Sequence, residues 1–134
     1  MGAWDTGIFD DDTACDVLLS LSLADPIEQI EEWNAAVQDA DYLEYTDCHC
    51  MLVSGAVIDA ALNGTAYRCD DEGTLAMVVS AVKAQDPTSL KATAVLNLER
   101  VLGEGSELRE LWEENTELYP VWRQNIEAII ARLR

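Results

Sequence analysis

The residues of this chain that could do metal or thiol chemistry form one cluster, Cys48-His49-Cys50, with Cys69 further downstream. Three cysteines and one histidine match in number the four ligands of a tetrahedral zinc site. The spacing argues against zinc, because neighbouring residues at a helix start point in divergent directions and no CxxC pair is present. His49 is the only histidine, and no catalytic signature surrounds the cysteines. We therefore expect packed thiols and no metal or cofactor; a metal protein or enzyme built on this cluster is the alternative.

Carboxylates are the other candidate groups, since the chain has 26 Asp and Glu against 8 Lys and Arg. Asp10-Asp11-Asp12 stands where a helix beginning near Thr13 would expose its first N–H groups, and carboxylates there are favoured by capping and by the helix dipole. The alternative is a Ca²⁺ or Mg²⁺ site. It lacks the EF-hand pattern, and three consecutive aspartates cannot all point at one ion. Paired carboxylates recur along the chain, so no single pair predicts acid–base catalysis, and we expect no enzyme activity.

Two stretches of the sequence carry a resemblance to a known family. The opening has MGAW at residues 1–4, TG at residues 6–7 and FD at residues 9–10, and a second motif, SELRELWEE, occupies residues 106–114. These look like the opening and the C-terminal signature of a bacterial family known as domain of unknown function 4259. The resemblance implies a compact bacterial domain, and it brings no established activity or catalytic residues.

The opening stretch is predicted to be ordered rather than a loose tail. Trp4, Ile8 and Phe9 supply apolar anchors. Gly7 can adopt positive φ without steric cost, which would allow a sharp turn between Trp4 and Phe9. Further along, Trp112 is expected to be a core anchor that packs against Trp4 or Trp122.

The length and charge bound the function class. The 134 residues fit one domain, residues 1–134, with a single core. A net charge of −18 argues against nucleic acid as a ligand, because phosphates are bound by clustered Lys and Arg. No export signal or bilayer-spanning run is present, so we expect a cytoplasmic protein that binds no membrane. Arg68 is the first basic residue, and the chain before it should present an almost unbroken negative surface.

The elements that position these groups are predicted to be helices alone. Asp25-Pro26 gives the clearest helix start, with Asp25 as N-cap and proline at the first helical position. The third helix is apolar on every side and should be central and buried. The valine-rich fourth could instead be a strand. The predicted helices cover residues 13–23, 26–37, 47–62, 72–84, 86–103, a segment capped by Ser106, and a segment after Pro120. The fold class is therefore all-α, a compact single-domain bundle of about six or seven short helices.

These observations favour a binding module that docks on a basic protein partner through residues 25–45. Small acidic bacterial proteins of this form resemble immunity proteins, which cover the cationic cleft of a toxin, often a nuclease, with carboxylates in place of phosphates. An adaptor or stress protein, whose charge serves solubility alone, is the further alternative. Exposed aromatic anchors are expected from Tyr42, Tyr45 and Trp33. The predicted acidic contacts are Glu28, Glu31, Glu32, Asp39, Asp41 and Glu44.

Overall fold

The computed structural model describes residues 2–134, and over that range the chain is built from helices with no β-strand. The all-α expectation is confirmed. Met1, which opens the family-like motif, lies outside the described residues. The helices are α1 (Asp12–Ser22), α2 (Pro26–Val37), α3 (Tyr45–Asn63), α4 (Glu72–Ala84), a 3-10 turn (Pro87–Leu90), α5 (Lys91–Leu102), α6 (Glu107–Glu113) and α7 (Tyr119–Leu133).

Helix α3 is the centre of the fold, as its composition predicted. Every residue from Cys48 to Asp59 is buried, and all six other α-helices contact α3. Gly55 lets α5 approach closely, because a Cβ at this position would lie 2.9 Å from Leu98 Cδ1. A helix enclosed in this way cannot present an outer polar face, which explains its apolar circumference.

Local signals in the sequence account for most helix ends. Asp25 accepts hydrogen bonds from the backbone N–H groups of Ile27 and Glu28 and so caps α2. Ser106 accepts one from the N–H of Arg109 and caps α6. Gly64 ends α3 in the left-handed conformation, at φ 70°. Each signal depends only on residues within one helical turn, and this is why the sequence predicts it.

The valine-rich segment is helix α4, as predicted, and the strand alternative is wrong. Two local predictions need correction. The predicted fifth helix is divided, because Asp86 adopts φ 52° and a short 3-10 turn precedes α5. Helix α3 begins earlier than predicted, at Tyr45, whose backbone N–H donates to Glu107 Oε1 of α6 at 2.8 Å. That contact bridges distant parts of the chain, whereas the capping box of Glu44 and Asp47 marks the same helix start locally.

The N-terminal segment, residues 2–11, is folded against the helices as a compact turn. Ile8 and Phe9 are buried as predicted, whereas Trp4 is 49% exposed and is not an anchor. Gly7 is not in the left-handed region, contrary to the expectation. Its requirement for glycine is steric, since a Cβ there would lie 2.5 Å from Asp10 Oδ2. The carboxylate of Asp10 occupies that space and accepts a hydrogen bond from the Gly7 N–H at 2.9 Å.

Candidate functional site

The six predicted acidic contacts are all exposed, and they come from two neighbouring parts of the chain. Three lie on the outer face of α2, and three lie in the segment that connects α2 to α3. None of the six forms an ion pair with any residue between 2 and 134. We call this surface the acidic face; it consists of Glu28, Glu31, Glu32, Asp39, Asp41 and Glu44.

Five of the six arginines of the chain pair with carboxylates outside the acidic face. Arg100 instead binds the backbone carbonyls of Val37 and Ala40, beside Asp39 and Asp41. The ion pairs are Arg68 with Asp5 and Asp10, Arg109 with Glu113, Arg123 with Glu127, Arg132 with Asp59, and Arg134 with Glu99. The acidic face therefore forms no ion pair within the described part of the chain, and Arg100 is a cation beside it.

A groove of about 800 Å³ borders this face. We call it the α2–α5 groove, because α2 and the turn after it form one wall while the 3-10 turn and α5 form the other. Glu31, Asp39 and Asp41 belong to the first wall. Leu96 belongs to the second and is 60% exposed. The groove thus combines unpaired carboxylates with an exposed apolar side chain.

Polar contacts across the base of the groove hold its walls together. The Asn97 side-chain amide donates to Asn34 Oδ1 at 3.0 Å. The Arg100 guanidinium donates to the carbonyl of Val37 at 2.7 Å and to that of Ala40 at 2.5 Å. These bonds tie the end of α2 and the turn after it to α5, and the Val37 carbonyl also accepts from the N–H of Ala40. The relative placement of α2 and α5 is accordingly fixed by charge-assisted bonds as well as by packing.

Only one of the three expected aromatic anchors is exposed. Tyr42 is 43% exposed, and its hydroxyl donates to Glu110 of α6. That hydrogen bond to a carboxylate raises the pKa of Tyr42 to about 12. Trp33 is half-buried against the core, and Tyr45 turns inward so that its hydroxyl donates to Asp11. The expectation of exposure is wrong for these two, because Trp33 packs against the core and Tyr45 has a partner that is distant in sequence.

Tyr45 belongs to a second cluster, buried beneath the N-terminal segment. Asp11 and His49 are each only 3% exposed, and His49 Nε2 lies 3.5 Å from Asp11 Oδ2. The Tyr45 and His49 rings are 4.7 Å apart between centroids. Neither ring nitrogen of His49 has a hydrogen-bond partner within residues 2–134, so its contact with the carboxylate is electrostatic.

Charge and hydrogen bonding in this cluster shift two pKa values in opposite directions. Burial acts to raise the pKa of Asp11, but His49 and the Tyr45 hydroxyl outweigh burial and lower it to about 2. Burial, followed by the hydrogen bond to the Asp11 carboxylate, raises the pKa of Tyr45. Asp11 is therefore a buried anion at neutral pH and Tyr45 a neutral donor.

The surroundings of this buried cluster give no access to a substrate. The cavity beside His49 has a volume of about 10 Å³, the size of one water molecule. Residues of both family-like motifs line it, including Gly7 from the opening and Trp112 from the second motif. Trp112 stacks on Trp122 as expected, with centroids 5.9 Å apart. The cluster anchors the N-terminal segment to α3 and leaves no room for a reacting molecule.

The structure does not bring together the residues that the metal alternative would need. Between residues 2 and 134, no group of three or more His, Cys, Asp or Glu is placed to hold a metal ion. The Cys48 thiol donates to the carbonyl of Leu43, and burial raises the pKa of Cys50 to about 12. Among the three N-terminal aspartates, Asp10 pairs with Arg68 and Asp11 caps α1, so the calcium alternative is not supported.

The sequence reasoning missed the second wall of the groove. Leu96, Thr93 and Asn97 lie 49 to 53 residues after Glu44, the last residue of the acidic face, and no local pattern links them to it. One signal was present, since Leu96 falls outside the inward series of Ala94 and Leu98 on the same helix. An apolar residue on the outer face of an amphipathic helix indicates an exposed apolar position.

Comparisons with known proteins give one match. A family model described as "Domain of unknown function (DUF4259)" matches residues 2–125. No curated protein and no solved structure matches the chain. Among the helices of residues 2–134, none combines the length and apolar character needed to cross a membrane.

Proposed function

This chain belongs to the family described as "Domain of unknown function (DUF4259)", and we propose that it is a small acidic protein-binding module. In this proposal it acts in the bacterial cytoplasm as an immunity protein, which neutralises a basic partner such as a nuclease toxin by covering the active-site cleft. The partner's cationic cleft, built to hold phosphates, would receive carboxylates instead. Nucleic acid and membrane surfaces are not proposed as ligands, because both present negative charge to a chain of net charge −18.

One observation carries the proposal: the six carboxylates of the acidic face are exposed, no described cation pairs with them, and Glu31, Asp39 and Asp41 line one groove. Self-repulsion among like charges destabilises a fold. The same negative field attracts a cationic protein and speeds its association. The backbone that carries these carboxylates is also held in place, because α2 is fixed against the core by Arg100 and by buried residues such as Ile30. A rigid acidic surface loses little conformational freedom when a partner binds.

The test begins with identification of the partner. The tagged protein is used for affinity capture from its native host at low salt, with the neighbouring genes co-expressed, and captured proteins are eluted with increasing salt and identified by mass spectrometry. A single strongly basic protein, released as salt rises, is the expected result. Its association rate with the chain is then measured by stopped-flow fluorescence over a range of ionic strengths.

Charge-reversal variants separate a specific face from general acidity. Glu31→Lys, Glu32→Lys and Glu44→Lys together are expected to slow association by about tenfold or more and to flatten its salt dependence. The control reverses Asp70, Glu114 and Glu117, which are exposed and outside the acidic face. Both triple variants change the net charge equally. Equal rates in the two variants would indicate a solubility role for the charge, and an unchanged rate in the first would refute the electrostatic mechanism.

A further inference from the structure

We infer that the α2–α5 groove receives a segment of the partner in which an apolar side chain is flanked by lysine or arginine. The inference rests on the proposed function, and it names which part of the acidic surface docks and what chemistry it recognises. The two kinds of residue that it requires, apolar and acidic, come from opposite walls of the groove.

The apolar requirement comes from the α5 wall. Leu96 is 60% exposed, and the partly buried Leu90 lies beside the same groove. Ala35 lines the facing wall on α2, so a side chain entering between the helices meets carbon atoms on both sides. Burial of exposed apolar area is the main favourable contribution at the centre of most protein interfaces. An apolar side chain of the partner is therefore the group that this part of the groove fits.

The cationic requirement comes from the α2 wall. Glu31, Asp39 and Asp41 line the groove, and none of them pairs with a cation of residues 2–134. The C-terminal end of α2 adds the negative pole of a helix dipole, and its last turn contains no basic residue. The Arg100 guanidinium also lines the groove, but the three carboxylates outnumber this one cation and keep the lining net negative. Lysine or arginine side chains flanking the apolar group would reach these carboxylates.

The size of the groove limits what can enter it. Its volume of about 800 Å³ falls within the range of sites that enclose a few side chains. A folded domain cannot enter such a space, but one face of a helix or an extended segment can. The remaining acidic residues, Glu28, Glu32 and Glu44, lie outside the groove lining and would contact the partner's surface around this segment.

Two synthetic peptides of equal length and net charge provide the probe. In one, lysines flank leucines; in the other, each leucine is replaced by serine. Each peptide is titrated into the ¹⁵N-labelled full chain while amide chemical shifts are recorded. We expect the leucine peptide to shift the amides of the groove, at Ala35, Ser89 and Thr93, and to bind about tenfold more tightly than the serine peptide.

A matched pair of variants tests the apolar contact directly. Leu96→Ala is expected to weaken binding of the leucine peptide by about tenfold and to leave the serine peptide unaffected. Met77→Ala is the control, because Met77 is similarly exposed at 55% but belongs to α4, outside the groove. That variant should change binding of either peptide by less than about twofold, in keeping with a residue that makes no contact.

Three results would overturn the inference without deciding the proposed function. They are equal affinities for the two peptides, shifts spread along the whole of α2 with none at Thr93, and no binding of either peptide at low salt. The proposed function depends separately on the association rates of the charge-reversal variants with the captured partner. Loss of the rate difference between those two variants, with the peptide results intact, would refute the proposed function instead.

Discussion

Asp11 offers the sharpest test of how the N-terminal segment is held. Its Oδ1 accepts a hydrogen bond from the Thr13 N–H at 2.7 Å, which caps α1, and its Oδ2 accepts one from the Tyr45 hydroxyl of α3. His49 Nε2 lies 3.5 Å from the same Oδ2. The substitution Asp11→Asn keeps the size of the side chain and an oxygen that can cap α1. It removes the negative charge that Tyr45 and His49 face.

The magnitude follows from the pKa of Asp11. Burial opposes ionisation, but the His49 and Tyr45 contacts lower the pKa from 3.8 to about 2. Each pKa unit corresponds to about 1.4 kcal/mol, so ionised Asp11 contributes about 2 kcal/mol to the free energy of unfolding at pH 7. Because the folded-state pKa is the lower one, this stabilisation is complete above pH 3.8 and is lost as pH falls through about 2.

The assay is urea unfolding of the wild type and of Asp11→Asn at several pH values. At pH 7 the variant should lose about 2 kcal/mol, equivalent to roughly 7 °C in Tm for a chain of this size. By pH 3 the difference should shrink to about half, because Asp11 is then mostly protonated in the unfolded chain but still mostly ionised in the folded one. Asp12→Asn is the matched control: Asp12 is exposed in the first turn of α1. A difference independent of pH, or one no larger than that of Asp12→Asn, would refute the reasoning.

Three further predictions concern packing, helix capping and thiol access. Gly55→Ala should destabilise the fold by about 1–2 kcal/mol, because overpacking against Leu98 exceeds the gain of about 1 kcal/mol from helix propensity. The control is Gly73→Ala in α4, where the nearest atom is 3.9 Å away, and this variant should be more stable than the wild type. Urea unfolding compares the two variants. Arg100→Lys should lower the free energy of unfolding by about 2 kcal/mol, because lysine cannot make the two-carbonyl contact. Hydrogen exchange of the amides at the end of α2 should quicken, and unchanged exchange would contradict the capping role. Cys15 is half-buried, which raises its pKa, and the other three cysteines are buried. Ellman's reagent at pH 8 should therefore modify a single thiol slowly in the folded chain and all four only in denaturant. Rapid reaction of several thiols in the folded chain would contradict this.

In the candidate site, as in the fold, features set by neighbouring residues were predictable from the sequence and contacts between distant residues were not. The exposure of Glu31 and Glu32 was predictable, since a charged residue opposite the apolar stripe of a helix faces water. The inward turn of Tyr45 was not, because it depends on Asp11, which is 34 positions away. Leu96 was missed for a similar reason: its meaning appears only when α2 is placed beside α5.

The sequence by itself determined the all-α class, the central position of α3 and most helix starts, including Asp25-Pro26 and Ser106. These depend on side-chain periodicity and on hydrogen bonds within one turn, both of which are properties of consecutive residues. Only the tertiary structure decided that residues 31–41 and 89–100 form one groove, and that Asp11 meets His49 beneath the N-terminal segment. Such pairings result from how several helices share one core, and that packing is a property of the whole chain.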